Sequence, residues 1–250
     1  MVPARFLITG MNGTVAPALA DELRARGGTV VAWDRAAVSP DDDLAVERHI
    51  RATAPTALVH CGMGDPRWAE HLADCCGRIG VGFLFTSSVS VFGPHQTGPH
   101  DVGAVPEPCD DYGRYKLECE RRVLVANPGA CVVRLGWQIA LRTDGNQMVE
   151  HFMRRQSEQG HIEVSTAWFQ ACSFLDDTAR VLADLVARPS RGLHHLDGNP
   201  GWDMHRIVCA LNRAMDAGWN VRPTEDLRMN NLMRDGRLPS SSIERRLGEG

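Results

Sequence analysis

A glycine-rich turn near the N-terminus restricts the folds open to this chain more than any other segment. Residues 5–9 form a compact apolar run with the length of a β-strand, and residues 15–26 carry leucines and alanines at helical spacing. Glycines between a strand and a helix let the backbone turn sharply and approach a pyrophosphate, which amide groups at the helix N-terminus bind. We therefore expect a dinucleotide site with the turn residues Gly10, Met11, Asn12, Gly13, Thr14 and Val15.

The alternation of strand and helix continues along the chain. Apolar runs predict further strands at residues 29–33, 56–60, 81–86 and 130–134. Helical spacing predicts further helices at residues 44–54, 67–79 and 112–125. Strands that alternate with such helices are typical of a parallel sheet with right-handed crossovers. The sequence therefore predicts an α/β fold with a doubly wound parallel, Rossmann-like sheet.

The second half of the chain follows a different pattern. Prolines and glycines predict a long loop at residues 92–111, and beyond residue 141 the alternation weakens into helices that include 176–187 and 204–215. We expect a dinucleotide-binding domain over residues 1–140 and a small, mostly helical substrate-binding lobe over 141–250. Within that lobe, residues around 170–200 are the segment expected to cross back to the sheet.

Composition narrows the class of protein. Against 27 lysines and arginines stand 31 acidic residues, so the net charge of -4 argues against a nucleic-acid partner. No secretory leader and no apolar run of membrane-spanning length is recognisable, and we expect a cytoplasmic protein without a membrane partner. The eight cysteines lack paired metal-site spacing, and His194 and His195 would face opposite sides of a strand. We therefore predict no metal site.

An acidic residue at the end of the second strand indicates which cofactor binds. Asp34 lies 24 residues beyond Gly10, where a carboxylate accepts hydrogen bonds from the adenosine ribose and repels a 2′-phosphate. This favours NAD, whereas the neighbouring Arg35 could pair with that phosphate and keeps NADP open. Asp43 and Leu44 are the residues that we expect to contact the adenine.

A tyrosine and a lysine four residues apart supply candidate acid–base chemistry. Tyr112 and Lys116 share one face of a predicted helix, and Tyr115 does not have this spacing. A phenol titrates near pH 10, so nearby positive charge must lower its pKa by about 3 units, or roughly 4 kcal/mol, for work at neutral pH. Lys116 and an oxidised nicotinamide ring can both supply that charge. Ser88, at the end of a strand, can orient a substrate carbonyl.

These motifs, in this order, resemble the extended short-chain dehydrogenase/reductase superfamily. The segment Thr-Ser-Ser-Val-Ser-Val-Phe-Gly at 86–93, the helix Tyr-Gly-Arg-Tyr-Lys-Leu-Glu-Cys-Glu at 112–120 and the strand that ends in Arg134-Leu-Gly-Trp137 are most similar to the dTDP-4-dehydrorhamnose reductase subgroup. The resemblance implies a nucleotide-sugar substrate and a homodimer. It implies catalytic roles for Ser88, Tyr112 and Lys116, cofactor contacts from Cys61, Gly62, Thr86, Ser87, Tyr112 and Lys116, and substrate contacts from Ser88, Val89, Tyr112, Arg134, Trp137 and Asn146.

Several reactions share this machinery. We expect reduction of a keto group on a nucleotide-activated deoxysugar, with an NAD-dependent epimerase as the alternative because Asp34 favours NAD. Dehydration is disfavoured, since Val89 and Ser90 beside Ser88 offer no carboxylate. The segment between His60 and Val81 is shorter than in the superfamily, and Gln138 stands where an aromatic is usual. These departures keep open a reductase of a small ketone and a non-catalytic nucleotide-binding subunit.

Overall fold

The fold is built on a six-stranded sheet whose neighbouring strands all run parallel. The computed structural model describes residues 3–141, 147–188, 190–239 and 242–248. Their strands are β1 (Arg5–Thr9), β2 (Thr29–Ala32), β3 (Ala57–His60), β4 (Gly82–Ser88), β5 (His100–Asp101), β6 (Cys131–Leu135), β7 (Trp137–Ile139), β8 (Ile162–Ser165), β9 (Trp168–Phe169), β10 (Cys172–Phe174), β11 (Gly192–Leu196), β12 (Val221–Thr224), β13 (Met229–Asn230) and β14 (Met233–Arg234). The sheet order is β11-β6-β4-β3-β1-β2, which confirms the predicted doubly wound arrangement.

Helices cover both faces of this sheet. They are α1 (Val15–Ala25), α2 (Asp43–Thr53), α3 (Pro66–Ile79), α4 (Asp111–Ala126), α5 (Met148–Gln159), α6 (Leu175–Ala187), α7 (Met204–Met215) and α8 (Glu244–Leu247). Alternate strand residues divide the core, because Phe6 and Ile8 pack with α1 and α6 while Leu7 packs with α2 and α3. The near-continuous apolar strands of the sequence reflect this burial on both faces.

The sheet has one strand more than the sequence analysis assigns. β11 pairs with β6 from Gly192 opposite Cys131 to Leu196 opposite Leu135, and α6 precedes it. The segment around residues 170–200 that was expected to cross back to the sheet therefore contains helix α6 and the edge strand β11. His194 and His195 are both buried in β11, and their side chains contact different groups: Ser190 for His194, and Arg134 for His195.

The remaining C-terminal residues form a second hydrophobic core. Residues of α5 and α7, among them Phe152 and Leu211, pack with Trp202 and Trp219. The second lobe also contains short pairs of parallel strands, such as β8 with β12. The prediction of a mostly helical lobe does not include these strands. The loop predicted at 92–111 likewise contains β5, which pairs with β14. These pairs join segments more than 50 residues apart, so local sequence gives no sign of them.

None of the helices in the described ranges combines the length and apolar character needed to cross a bilayer.

Candidate active site

A cavity of about 500 Å³ opens at the carboxyl edge of the central sheet. It joins the start of α1 to the end of β4, to α4 and to the turn between β6 and β7. Its lining residues are Thr14, Val15, Thr86, Ser87, Ser88, Val89, Ser90, Tyr112, Lys116, Leu135, Gly136, Trp137, Gln138 and Gln170. Parallel α/β sheets bind ligands at this edge, so the cavity is the candidate active site.

The glycine-rich turn leads into the cavity at Thr14 and Val15, and Gly10 lets the turn lie against the neighbouring strand end. Gly10 has φ +81°, and a Cβ there would stand 2.7 Å from the carbonyl carbon of Cys61 and from the nitrogen of Gly62. The Gly13 amide donates to the Gly10 carbonyl at 2.9 Å. The first turn of α1 carries no acidic side chain, so no carboxylate competes for its positive end. The turn therefore fits a pyrophosphate.

Asp34 and Arg35 follow β2 and are both exposed. The Asp34 carboxylate accepts from the Ala36 amide at 2.8 Å. The Arg35 guanidinium lies 4.6 Å from the Trp68 ring centroid and donates to the Met63 carbonyl. Arg35 is thus held over an indole ring beside Asp34, and both residues remain accessible to a ribose or its phosphate.

The two residues expected at the adenine lie at the start of α2. Leu44 is 75% exposed, and the carbonyl oxygen of Asp43 lies 3.1 Å from the His71 Nε2 atom. Nearby on α3, the ligating atoms of His71, Asp74 and Cys75 lie within 4.8 Å of one another. Arg78 donates to Asp74 at 2.9 Å and to Cys75 at 3.3 Å, so a guanidinium already occupies this group. We assign it no metal.

Ser88, Tyr112 and Lys116 meet inside the cavity. The Ser88 hydroxyl donates to that of Ser90 at 3.1 Å and shares a hydrogen bond with the phenol of Tyr112. Lys116 is 3% exposed, and its ammonium donates to the Thr86 carbonyl at 2.9 Å. The same ammonium lies 5.8 Å from the centroid of the Tyr112 ring. The helical spacing of the two residues thus places phenol and ammonium on one side of the cavity.

The pKa of Tyr112 differs from the expectation that nearby positive charge lowers it. Burial raises the pKa of Tyr112, and its hydrogen bond with Ser88 only partly offsets that rise. Burial also lowers the pKa of Lys116. Lys116 by itself therefore does not bring the phenol towards neutral pH, because its charge is directed at the Thr86 carbonyl.

The residues expected at the substrate fall into different surroundings. Val89 and Trp137 line the cavity, and the Trp137 ring stacks 6.3 Å from that of Trp168. Arg134 is not among the lining residues: its Nε and Nη2 donate to the buried Glu120 carboxylate at 2.9 and 2.7 Å, and its Nη1 lies 3.3 Å from the His195 Nε2 atom. We therefore assign Arg134 a structural contact instead of a substrate contact. Asn146 lies outside the described residues.

Three further residues lie at the cavity or beneath it that the sequence analysis does not include among the expected site residues. Ser90 and Gln170 line the cavity, and Glu120 binds both Arg134 and Ser87 beneath it. Glu120 carries a usable signal, since it continues the spacing of four that begins at Tyr112 and Lys116. Gln170 has a weaker signal, its position just before the acidic start of α6, and it reaches the cavity only through the folding of the second lobe.

Comparisons with known proteins show which family and which relatives this chain is similar to. A family model described as the RmlD substrate binding domain matches residues 66–234. The chain is 29% identical over 199 residues to a dTDP-4-dehydrorhamnose reductase of Mycolicibacterium smegmatis, covering 73% of this chain and 60% of that protein. It is 26% identical over 260 residues to methionine adenosyltransferase 2 subunit beta of Xenopus laevis, covering 90% of this chain and 77% of that protein.

A solved structure is similar over nearly the whole chain. The dTDP-4-dehydrorhamnose reductase of Bacillus anthracis, in complex with NADP, superposes with a TM-score of 0.85 and covers 99% of this chain and 97% of that one. The two sequences are 18% identical, so this likeness concerns the fold.

Proposed function

Because this chain belongs to the RmlD substrate-binding domain family, we propose that it is an NAD(P)-dependent oxidoreductase of the extended short-chain type. The family relation expected from its motifs is thereby confirmed. The proposed reaction reduces a keto group of a nucleotide-activated deoxysugar by hydride transfer, with Tyr112 as general acid. The observation that carries the proposal is a single cavity that contains both the start of the glycine-turn helix and the Ser88, Tyr112 and Lys116 side chains.

The residues of this cavity and of the neighbouring strand ends fit a dinucleotide. The glycine turn would hold the pyrophosphate, Asp34 the adenosine ribose, and Lys116 the nicotinamide ribose, while Asp43 and Leu44 would contact the adenine. The nicotinamide supplies the hydride. Asp34 favours NAD, and the position of Arg35 beside it is compatible with NADP.

The side chains of the chain itself would handle the proton. Ser88 would hold the substrate carbonyl oxygen through its hydroxyl, and Tyr112 would donate its phenolic proton to that oxygen as the carbon is reduced. The buried Lys116 ammonium would favour the resulting phenolate by its positive charge. Trp137 would offer an apolar face to the sugar ring.

Turnover of a substrate panel tests this proposal. Nicotinamide absorbance is followed at fixed protein concentration with NADH or NADPH and with nucleotide-linked 4-keto sugars or small ketones. We expect oxidation with a nucleotide-linked keto sugar. Turnover of simple ketones alone would replace this proposal with a small-ketone reductase, and interconversion of nucleotide sugars without net oxidation would indicate the epimerase.

A second candidate is a nucleotide-binding subunit without catalysis of its own. It is favoured by the 26% identity to a protein named as a subunit of methionine adenosyltransferase 2 over 90% of this chain. The complete set of Ser88, Tyr112 and Lys116 favours the enzyme. Cofactor binding without turnover of any member of the panel would support the subunit.

A further inference from the structure

One face of α4 contacts the end of β4 at three successive positions. Tyr112, Lys116 and Glu120 are spaced by four residues, so their side chains project from the same side of the helix. The contacts join Ser88 with Tyr112, the Thr86 carbonyl with Lys116, and the Ser87 hydroxyl with Glu120. Tyr112 and Lys116 make the first two contacts and have roles in the proposed acid–base chemistry. Glu120 makes the third contact and has no role in that chemistry so far.

Glu120 is a buried carboxylate with both oxygens occupied. It is 3% exposed, and Arg134, 2% exposed, donates to both of its oxygens at 2.9 and 2.7 Å. The Ser87 hydroxyl donates to one of the same oxygens. This carboxylate therefore ties α4 to β4 and β6 directly beneath the cavity. Such a pair adds little net stability over apolar packing, which leaves room for a functional reason to keep it.

The groups around the Lys116 ammonium are mostly uncharged at neutral pH. The titratable groups that act on its ammonium or share its contacts are His60 and Cys61 from the end of β3, and Tyr112, Tyr115, Cys119 and Glu120 from α4. Burial raises the pKa values of both thiols, that of Cys61 to about 11, so they are uncharged at neutral pH. Among these groups Glu120 is the one carboxylate.

We propose that Glu120 is a positioning residue: its buried carboxylate keeps the Lys116 ammonium protonated and aligned beside Tyr112. The proposal deepens the oxidoreductase function given above and rests on it for its catalytic meaning. Burial alone disfavours the charged form of Lys116, and Glu120 opposes that effect from one helical turn away. Its bonds to Ser87 and Arg134 fix the face of α4 on which all three side chains lie.

The sequence allows a direct measurement, because Lys116 is the only lysine in the chain. Protein labelled with [13Cε]lysine gives one side-chain resonance, and its chemical shift against pH reports the titration of Lys116 without any turnover. In Glu120→Gln, which keeps the side-chain size but removes the charge, we expect the midpoint to fall by about 1 pH unit. A midpoint equal to that of the wild type would overturn the proposal.

Two controls separate charge from structure. Ser87→Ala removes the hydroxyl contact and keeps the carboxylate, so the Lys116 midpoint should stay near that of the wild type. Glu118→Gln removes a half-exposed carboxylate of the same helix that pairs with Arg122, and it should also leave the midpoint in place. A fall as large in either control as in Glu120→Gln would contradict the specific role of Glu120.

A double variant covers the case in which Glu120→Gln does not fold with Arg134 unpaired. Glu120→Leu combined with Arg134→Met replaces the buried pair by apolar side chains, an exchange that proteins often tolerate. We expect a lowered Lys116 midpoint here too, by less than in Glu120→Gln because the positive charge of Arg134 is removed as well, and an unchanged midpoint would overturn the proposal. The resonance titrates whether or not a substrate is turned over. A failure of the proposed function in the substrate panel is therefore distinguishable from a failure of this inference.

Discussion

At the residue scale, the position of Asp34 sets the expected choice of cofactor. Asp34 is exposed, and in the proposed binding mode its carboxylate would lie near a 2′-phosphate, so Asp34→Ala should remove a repulsion that acts on NADP and not on NAD. We expect the ratio of the Kd for NADP to the Kd for NAD to fall by about tenfold, which corresponds to about 1.4 kcal/mol. Fluorescence titration with both cofactors measures it. The matched control is Asp41→Ala, an exposed acid in the following loop, and an equal change there would refute the assignment.

A buried histidine predicts how stability depends on pH. Burial lowers the pKa of His60 to about 3, with smaller contributions from Lys116 and Arg35. Because this value lies below the 6.5 of the unfolded chain, His60 contributes stability above about pH 6.5 that is lost progressively as the pH falls towards 3. His60→Gln should therefore reduce the loss of unfolding free energy between pH 6.5 and 4.

Denaturant unfolding at a series of pH values measures this loss. His195, whose pKa burial lowers to about 4, acts in the same direction, so the loss should become smaller without disappearing. His95→Gln, on an exposed side chain, is the control. A pH dependence of His60→Gln equal to that of the wild type would show that His60 is not kept neutral in the fold.

At the element scale, the turn between β1 and α1 depends on Gly10. An alanine there would carry both a strained positive φ and a Cβ 2.7 Å from the next strand end. Gly27 has φ +84° with nothing within 4 Å of an added Cβ, so Gly27→Ala isolates the strain. We expect Gly10→Ala to lose more unfolding free energy than Gly27→Ala, which should lose about 1–2 kcal/mol, and to lose cofactor affinity as well. Equal losses in the two variants would contradict the close approach.

The elements differ in how far the sequence alone predicts them. α7 occupies Met204–Met215 as predicted, because its apolar spacing and its Asp203 cap are local signals. The sequence analysis puts His194 and His195 in a strand but does not predict that β11 pairs with β6, since these polar side chains are buried only through contacts with distant residues. The role expected for Arg134 changed for a similar reason. Its partner Glu120 lies on another element, and the sequence does not reveal that the two pair.

At the scale of the whole molecule, the resemblance to the superfamily predicts a homodimer through the helices that flank the sheet. α3 and α4 lie side by side, joined by an ion pair between Arg122 and Glu70 at 2.7 Å. Val125 on α4 is 82% exposed, so this helix offers an apolar side chain to a partner subunit. We therefore predict that this pair of helices forms the subunit contact.

Light scattering measures the molecular mass in solution and so tests this prediction. The wild type should have twice the mass of one chain, and Val125→Glu should shift it towards the monomer. Val105→Glu, at a loop position that is 71% exposed, should leave the mass unchanged. A wild type that is monomeric at working concentration would contradict the predicted dimer, although the active-site proposal would stand.

The sheet and the second lobe both contribute residues to the cavity that we propose for cofactor and substrate. The sheet edge supplies the glycine turn, Ser88 and α4, and the second lobe supplies Gln170 through the segment before β10. We propose that the dinucleotide-binding domain and the substrate lobe meet at this cavity. The central claim is that a nicotinamide and a keto group react there beside Tyr112.

The most direct test of that claim is a single-turnover measurement of hydride transfer in Tyr112→Phe, together with the Kd of the cofactor. The account predicts a rate lower by about 10²–10⁴-fold with a nearly unchanged Kd, because only the proton donor is lost. Tyr115→Phe, whose hydroxyl accepts from the Gly64 amide at 3.1 Å outside the cavity lining, should react at close to the wild-type rate. A Tyr112→Phe protein that transfers hydride as fast as the wild type would contradict the account.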